Sequence, residues 1–163
     1  MGDLASRGRT AVERRSDCEL VLSRIFDAPV RLVFEAWSKP ELFQLWWPPK
    51  SNPVPLLSCE MDVRTGGGYR LTFGHDAASA MAFFGKYLEV TPPSRIVWTN
   101  EESEAGSITT VTFEERDGGT LMVLRELYPS KEALDEAFVG MEGGMPESFE
   151  QLDELLASMG AKV

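Results

Sequence analysis

From Ser130 to Met159 the apolar positions Met141, Met145, Phe149, Leu152, Leu156 and Met159 recur every three or four residues. Side chains so spaced share one face of a helix. Glu147, Glu150, Gln151, Asp153 and Glu154 fall on the opposite face, toward water. Ser130 is placed to cap the helix, and Glu132 puts a negative charge in its first turn. Gly143, Gly144 and Pro146 interrupt the run and predict a kink or a loosened turn.

Upstream the pattern is mostly extended. Cys18 to Asp27 is rich in β-branched and aromatic residues and reads as a first strand. Pro29 suits the first turn of a short helix reaching Trp37, with Val30, Val33, Phe34 and Trp37 on one face. Ser38 and Glu41 have capping-box spacing for a second short helix carrying Leu42, Leu45, Trp46 and Trp47, stopped by Pro48-Pro49. Six strand-like segments follow: Pro55 to Val63, Tyr69 to Phe73, Met81 to Val90, Ile96 to Thr99, Ile108 to Glu115 and Leu121 to Tyr128. Turn signals separate them, and Asp117-Gly118-Gly119 marks a hairpin. The order is one strand, two short helices, six strands and a long helix. It lacks the alternation of a doubly wound sheet and predicts an α+β fold with an antiparallel sheet covered by the last helix.

Composition narrows the functional classes. The chain of 163 residues carries a formal charge of −10, and so acidic a surface repels phosphate backbones. A nucleic-acid role is therefore not expected. No apolar run approaches the roughly 20 residues needed to span a bilayer, and the first residues show no secretory pattern. A cytoplasmic location is the default. Cys18 and Cys59 are the only cysteines and stand in no metal-binding spacing, so reduced, packed thiols are expected and no metal. Residues 1–16 mix Gly, Ser, Thr and Arg without apolar periodicity and read as a disordered arm. Residues 17–163 are expected to form one domain.

The strand and helix segments carry further signatures. Arg24-Ile25-Phe26-Asp27-Ala28-Pro29 leads into Phe34-Glu35-Ala36-Trp37, then Pro40-Glu41-Leu42 and Trp46-Trp47. Glu60 to Gly67, Gly85 to Pro93, Arg95 to Trp98, Thr110 to Glu114 and Gly140 to Gly144 continue the series. In order and spacing these resemble the family named after the activator homologue of the heat-shock-protein-90 ATPase, within the START-like (SRPBCC) superfamily. The likeness runs from about Cys18 to Met159. It implies a helix-grip fold, with a curved antiparallel sheet of about seven strands around the long C-terminal helix and two short helices after strand one. It also implies a mostly apolar cavity between helix and sheet. Relatives include lipid and hormone binders and polyketide cyclases, so fold transfers better than function.

No catalytic constellation emerges from the residues. His75, the single histidine, sits in a Gly-His-Asp turn that favours solvent. Gly66-Gly67-Gly68 lacks the Lys and helix start of a phosphate loop and reads as a hairpin corner. Glu60 and Asp62 share one strand face, opposite the apolar Cys59, Met61 and Val63, and are expected at the surface. Arg70, Arg125 and Glu126 lie within strands, and an inward placement of any of them would require a partner. The aromatic and methionine supply is the stronger signal. Trp37, Trp46, Tyr69, Phe73, Phe83, Tyr87, Trp98, Met141, Met145 and Phe149 suit an adaptable apolar pocket. The expectation is a non-catalytic carrier or sensor of a small apolar or aromatic ligand, lipid-like or polyketide-like, without a cofactor. The alternative is a cyclase or dehydratase using Tyr69, Arg70, His75 or Glu126. A chaperone ATPase co-factor is a third reading, by analogy with the namesake. A homodimer through helices or sheet edges is compatible with the sequence.

Overall fold

The structure is a computed structural model that describes residues 10–48, 50, 54–76, 78–101, 106–116 and 118–160, without the side chains of 137–144 and 160. Two strands precede the first helix where one was expected. They are β1 (Ala11–Arg14) and β2 (Glu19–Phe26), paired antiparallel from Ala11 opposite Ser23 to Arg14 opposite Leu20. Ala11–Arg14 falls in the stretch expected to be a disordered arm, and there the expectation fails. Ala11 is buried, and the Ser16 hydroxyl accepts from the Cys18 and Glu19 amides, which fixes the turn between the strands. Residues 1–9 lie outside the described part of the chain.

Helices α1 (Val30–Ser38) and α2 (Pro40–Trp46) follow. The capping box at Ser38 and Glu41 does not form. Pro40 opens α2, and a residue before proline is pushed into extended backbone, so Lys39 (φ −102°, ψ 120°) is the break and the cap. Ser38 instead ends α1, with its hydroxyl donating back to the Glu35 carbonyl at 3.5 Å. Then come β3 (Leu56–Met61), β4 (Gly68–Phe73), β5 (Met81–Thr91), β6 (Arg95–Thr99), β7 (Ile108–Arg116) and β8 (Gly119–Leu127). The final helix is α3 (Lys131–Gly160), capped as expected by the Ser130 hydroxyl, which accepts from the Ala133 amide at 3.1 Å. It runs through Gly143, Gly144 and Pro146 without a break.

All eight strands form one antiparallel sheet in the order β1-β2-β8-β7-β6-β5-β4-β3. Strand β5 belongs to two neighbours in turn. Met81 to Lys86 pairs with β4, whereas Tyr87 to Thr91 pairs with β6, with an irregularity just after Tyr87. The sheet passes from one half to the other at this handover.

The two halves are filled differently. Leu20, Leu22 and Phe26 of β2, with Met122 and Leu124 of β8, pack with Phe149, Leu152 and Leu156 of α3 in the core. The apolar stripe of α3 is therefore where its spacing put it, with Met145 also buried and Met159 partly so. Two residues assigned to its wet face are instead tied to distant partners. Gln151 is 8% exposed and Asp153 meets the buried Arg24 of β2, because partners distant in sequence reach them. The β3–β6 half is faced instead by α1 and α2, and there the filling is incomplete.

Candidate functional site

The unfilled half holds a cavity of about 590 Å³. Its floor is the inner face of four strands: Met61 of β3, then Tyr69, Leu71 and Phe73 of β4, Phe83 and Tyr87 of β5, and Ile96 and Trp98 of β6. Alternation selects these residues, since positions two apart on a strand share a face. Leu71 lies opposite Phe83 and Tyr69 opposite Gly85. The roof is Trp37 of α1, Phe43 of α2, and Trp47 and Pro48 just beyond it. Met81 (65% exposed), Phe83 (39% exposed) and the exposed His75 and Ser79 mark the side that meets solvent.

The roof hangs from α3. Gln151 Nε2 donates to the carbonyls of Trp46 (2.8 Å) and Pro48 (2.9 Å), while its Oε1 accepts from the Lys50 amide at 2.8 Å. The Ser148 hydroxyl donates to the Trp47 carbonyl at 2.7 Å. The last carbonyls of a helix have no intrahelical partner, and here two side chains from α3 supply it. Gln151 and Ser148 thus set the position of Trp47 and Pro48, although neither touches the cavity.

Aromatic rings make most of the wall. Trp37 packs against Phe43, Trp46, Trp47, Trp98, Phe113 and Phe149 with centroid distances from 4.8 to 6.5 Å. Its Nε1 is sealed from solvent and has no hydrogen-bond partner among the described residues. Trp46 Nε1, in contrast, donates to the Ala36 carbonyl at 2.9 Å.

Polar groups gather at the β4–β6 side. The Tyr69 hydroxyl lies 2.8 Å from the Thr99 carbonyl and 3.1 Å from Asn100 Oδ1. The Asn100 amide nitrogen donates to the hydroxyls of Ser107 and Thr109, both at 2.9 Å, and the Ser107 hydroxyl to Glu126 at 3.2 Å. Burial, with the neighbouring Glu126 adding to it, pushes the Tyr128 hydroxyl far above its ordinary pKa. Burial also raises Tyr87 strongly, with Cys59 and Asp62 adding to it. Cys59 is itself raised by burial and by Glu41. Around the mouth, Asp76 accepts from the Ser79 amide (2.9 Å) and hydroxyl (3.0 Å), and these bonds lower its pKa.

Of the residues expected to line a pocket, Trp37, Tyr69, Phe73, Phe83, Tyr87 and Trp98 do so. Trp46 and Phe149 are fully buried in the core and Met145 is 9% exposed, none of them on the cavity. The Met141 side chain lies outside the described residues. Among the described residues, the cavity is bounded by the sheet and the α1–α2 pair rather than by the sheet and α3. The α3 side chains at 137–144, where the helix was expected to meet the cavity, lie outside the described residues.

Sequence reasoning passed over Leu71, Phe43, Ile96 and Asn100, and His75, expected in solvent, is exposed yet also on the cavity's rim. Alternation from Tyr69 would have placed Leu71; nothing local marks Phe43 or Asn100. Arg70 points away, its guanidinium 5.6 Å from the Phe84 ring, and Arg125 is exposed beside Glu19. Glu60 and Asp62 are exposed, as their alternation implied. Among the described residues no group of three His, Cys, Asp or Glu side chains is placed to hold a metal ion.

The family model described as "Activator of Hsp90 ATPase homolog 1-like protein" matches residues 27–157. The chain belongs to this family. Its members' START-like helix grip is the architecture described above, with β1 as an eighth strand. A Rhodobacter sphaeroides protein of known structure superimposes with a TM-score of 0.83 at 22% identity, over 92% of this chain and 99% of its own. A Nitrosomonas europaea protein gives 0.79 at 24% identity, over 91% and 99%. A Rhizobium leguminosarum protein, described as uncharacterized, is 29% identical with a TM-score of 0.68, over 86% and 94%. No protein of curated function matches the chain. Among the described residues no helix is long and apolar enough to cross a membrane.

Proposed function

We propose that this member of the family binds a small apolar or aromatic molecule in the cavity under α1 and α2, and acts as a carrier or sensor rather than on the molecule chemically. One observation carries the reading: about 590 Å³ of space is walled by Trp, Tyr, Phe, Leu and Met side chains from four strands and two helices. That volume is within the range of small-molecule sites. Burial of apolar surface at ~25 cal/mol per Å² supplies the affinity. The exposed Met81 and Phe83 give an apolar approach to it.

The cyclase or dehydratase reading retains one specific support, since Tyr69 and His75 border the same cavity. Against it, the Tyr69 hydroxyl is already engaged with the Thr99 carbonyl and Asn100, which accept its proton. Recovery of an added aromatic ketone unchanged after prolonged incubation is the outcome expected here; conversion lost in His75→Ala would favour the enzyme.

Binding is tested by mass spectrometry of the purified protein under native and denaturing conditions, and by calorimetric titration with naphthalene. Wild type is expected to carry or take up one apolar molecule per chain. Leu71→Trp, which puts an indole into the cavity from its floor, is expected to take up none. Wild type that takes up neither an endogenous compound nor naphthalene would sink the proposal.

A further inference from the structure

The polar chemistry of the cavity narrows its ligand, given the binding reading above. Tyr87 borders the cavity and is 5% exposed, with its ring between Tyr69 (5.7 Å) and Trp98 (6.5 Å). The neighbouring Tyr69 hydroxyl has Thr99 and Asn100. The Tyr87 hydroxyl has no hydrogen-bond partner among the described residues, and burial and nearby acidic groups are what act on it. Tyr87 is among the residues that line the cavity, which puts its side chain within reach of a ligand held there.

The rest of the lining sets what that hydroxyl can select. No Lys, Arg, Asp or Glu is among the described lining residues. A carboxylate drawn into such a site loses its water and meets no Lys or Arg there, which is unfavourable. A plain hydrocarbon covers the Tyr87 hydroxyl without giving it anything to bond, and a buried unmet hydroxyl weakens binding. A neutral oxygen on the ligand removes both penalties.

We infer that the cavity selects an uncharged aromatic molecule bearing a hydrogen-bonding oxygen, of the phenol or aryl-ketone type, and that the Tyr87 hydroxyl is the group that meets this oxygen. Tyr87 is then a specificity-determining residue. Because burial raises its pKa, the hydroxyl stays protonated across the neutral range and can donate to that oxygen.

The test is calorimetric titration of wild type and Tyr87→Phe with naphthalene, naphthol and naphthoate at neutral pH. The variant removes an oxygen that no described residue uses, so the fold is retained. The preference of wild type for naphthol over naphthalene is expected to fall about tenfold in Tyr87→Phe, the worth of one hydrogen bond in a buried site. Comparing the two ratios cancels the different hydration of the probes. Wild type alone supplies a second measurement, in which naphthoate is expected to bind at least about tenfold more weakly than naphthol. An unchanged ratio in the variant, or naphthoate binding tighter than naphthol, overturns the inference while leaving the binding reading intact. Failure of both neutral probes to bind wild type overturns this inference, and the binding reading with it where the purified protein also carries no endogenous compound.

Discussion

A methyl group on Gly85 would lie 1.9 Å from the Thr99 carbonyl oxygen and 2.7 Å from its carbon. That is backbone, which cannot rotate aside. The same carbonyl accepts from the Tyr69 hydroxyl, and Tyr69 lies opposite Gly85 in the register, so the glycine lets β5 approach Thr99 beside the cavity wall. Gly85→Ala is expected to cost about 2 kcal/mol or more, measured by chemical denaturation, because β5 must move away from β6. It should also weaken binding of neutral aromatic probes. A variant as stable as wild type would show that the handover in β5 is freer than this packing implies. Arg24 is the other residue whose surroundings dictate a result. It is 3% exposed, with its guanidinium on Asp153 and on the Thr10 hydroxyl at 2.9 Å. Asp153 is 29% exposed, and burial, with Asp27 and Glu150 adding to it, raises its pKa despite the lowering by Arg24. Removing the acid strands the deeper charge, so Asp153→Leu is expected to cost about 3 kcal/mol and Arg24→Met less, since the stranded carboxylate reaches water. The double variant should recover most of the loss in a thermal melt. If Arg24→Met proves the worse of the two, the assignment of Arg24 as the desolvated member is wrong.

At the scale of elements, α3 shows what periodicity can and cannot convey. Its buried face was legible because Met145, Phe149, Leu152 and Leu156 repeat with the helix period. Gln151 and Asp153 were assigned to water because a pattern distinguishes apolar from polar, not a solvated polar residue from one with a distant partner. The groups they meet lie more than a hundred residues earlier, at Trp46 and Arg24. Strand β1 was missed for a related reason. Four residues, AVER, bury one side chain deeply and owe their pairing to β2 rather than to their own composition. The cavity wall was half legible. Trp37 and Trp98 face the space while Trp46 and Phe149 fill the core, and composition is the same on both sides of that boundary. Gln151 then yields the element-scale prediction. Gln151→Leu leaves the Trp46 and Pro48 carbonyls and the Lys50 amide without their partner, at about 2 kcal/mol. Amide exchange at Trp46, Trp47 and Lys50 is expected to accelerate and aromatic probes to bind more weakly, although Gln151 is outside the cavity. Unchanged exchange there would mean that Ser148 suffices to hold the roof.

For the whole molecule the decisive asymmetry is between a half of the sheet filled by α3 and a half left with about 590 Å³ of space. Void volume eliminated on unfolding makes a protein sensitive to pressure. Pressure denaturation is therefore expected at a lower midpoint for the free protein than for the protein saturated with naphthol, and Leu71→Trp should resist pressure better than wild type without ligand. At about a hundred times the dissociation constant, a ligand adds about 2.7 kcal/mol of stability. The same arrangement has an optical side. The sequence contains four tryptophans, and Trp46, Trp47 and Trp98 all lie within 4.8 to 5.9 Å of Trp37, centroid to centroid. Near-ultraviolet excitation of the chain is thus absorbed and shared by one cluster, three members of which border the cavity. Emission from this protein is emission from its binding wall, so occupancy of the cavity is written into its intrinsic fluorescence and near-ultraviolet dichroism without any added label.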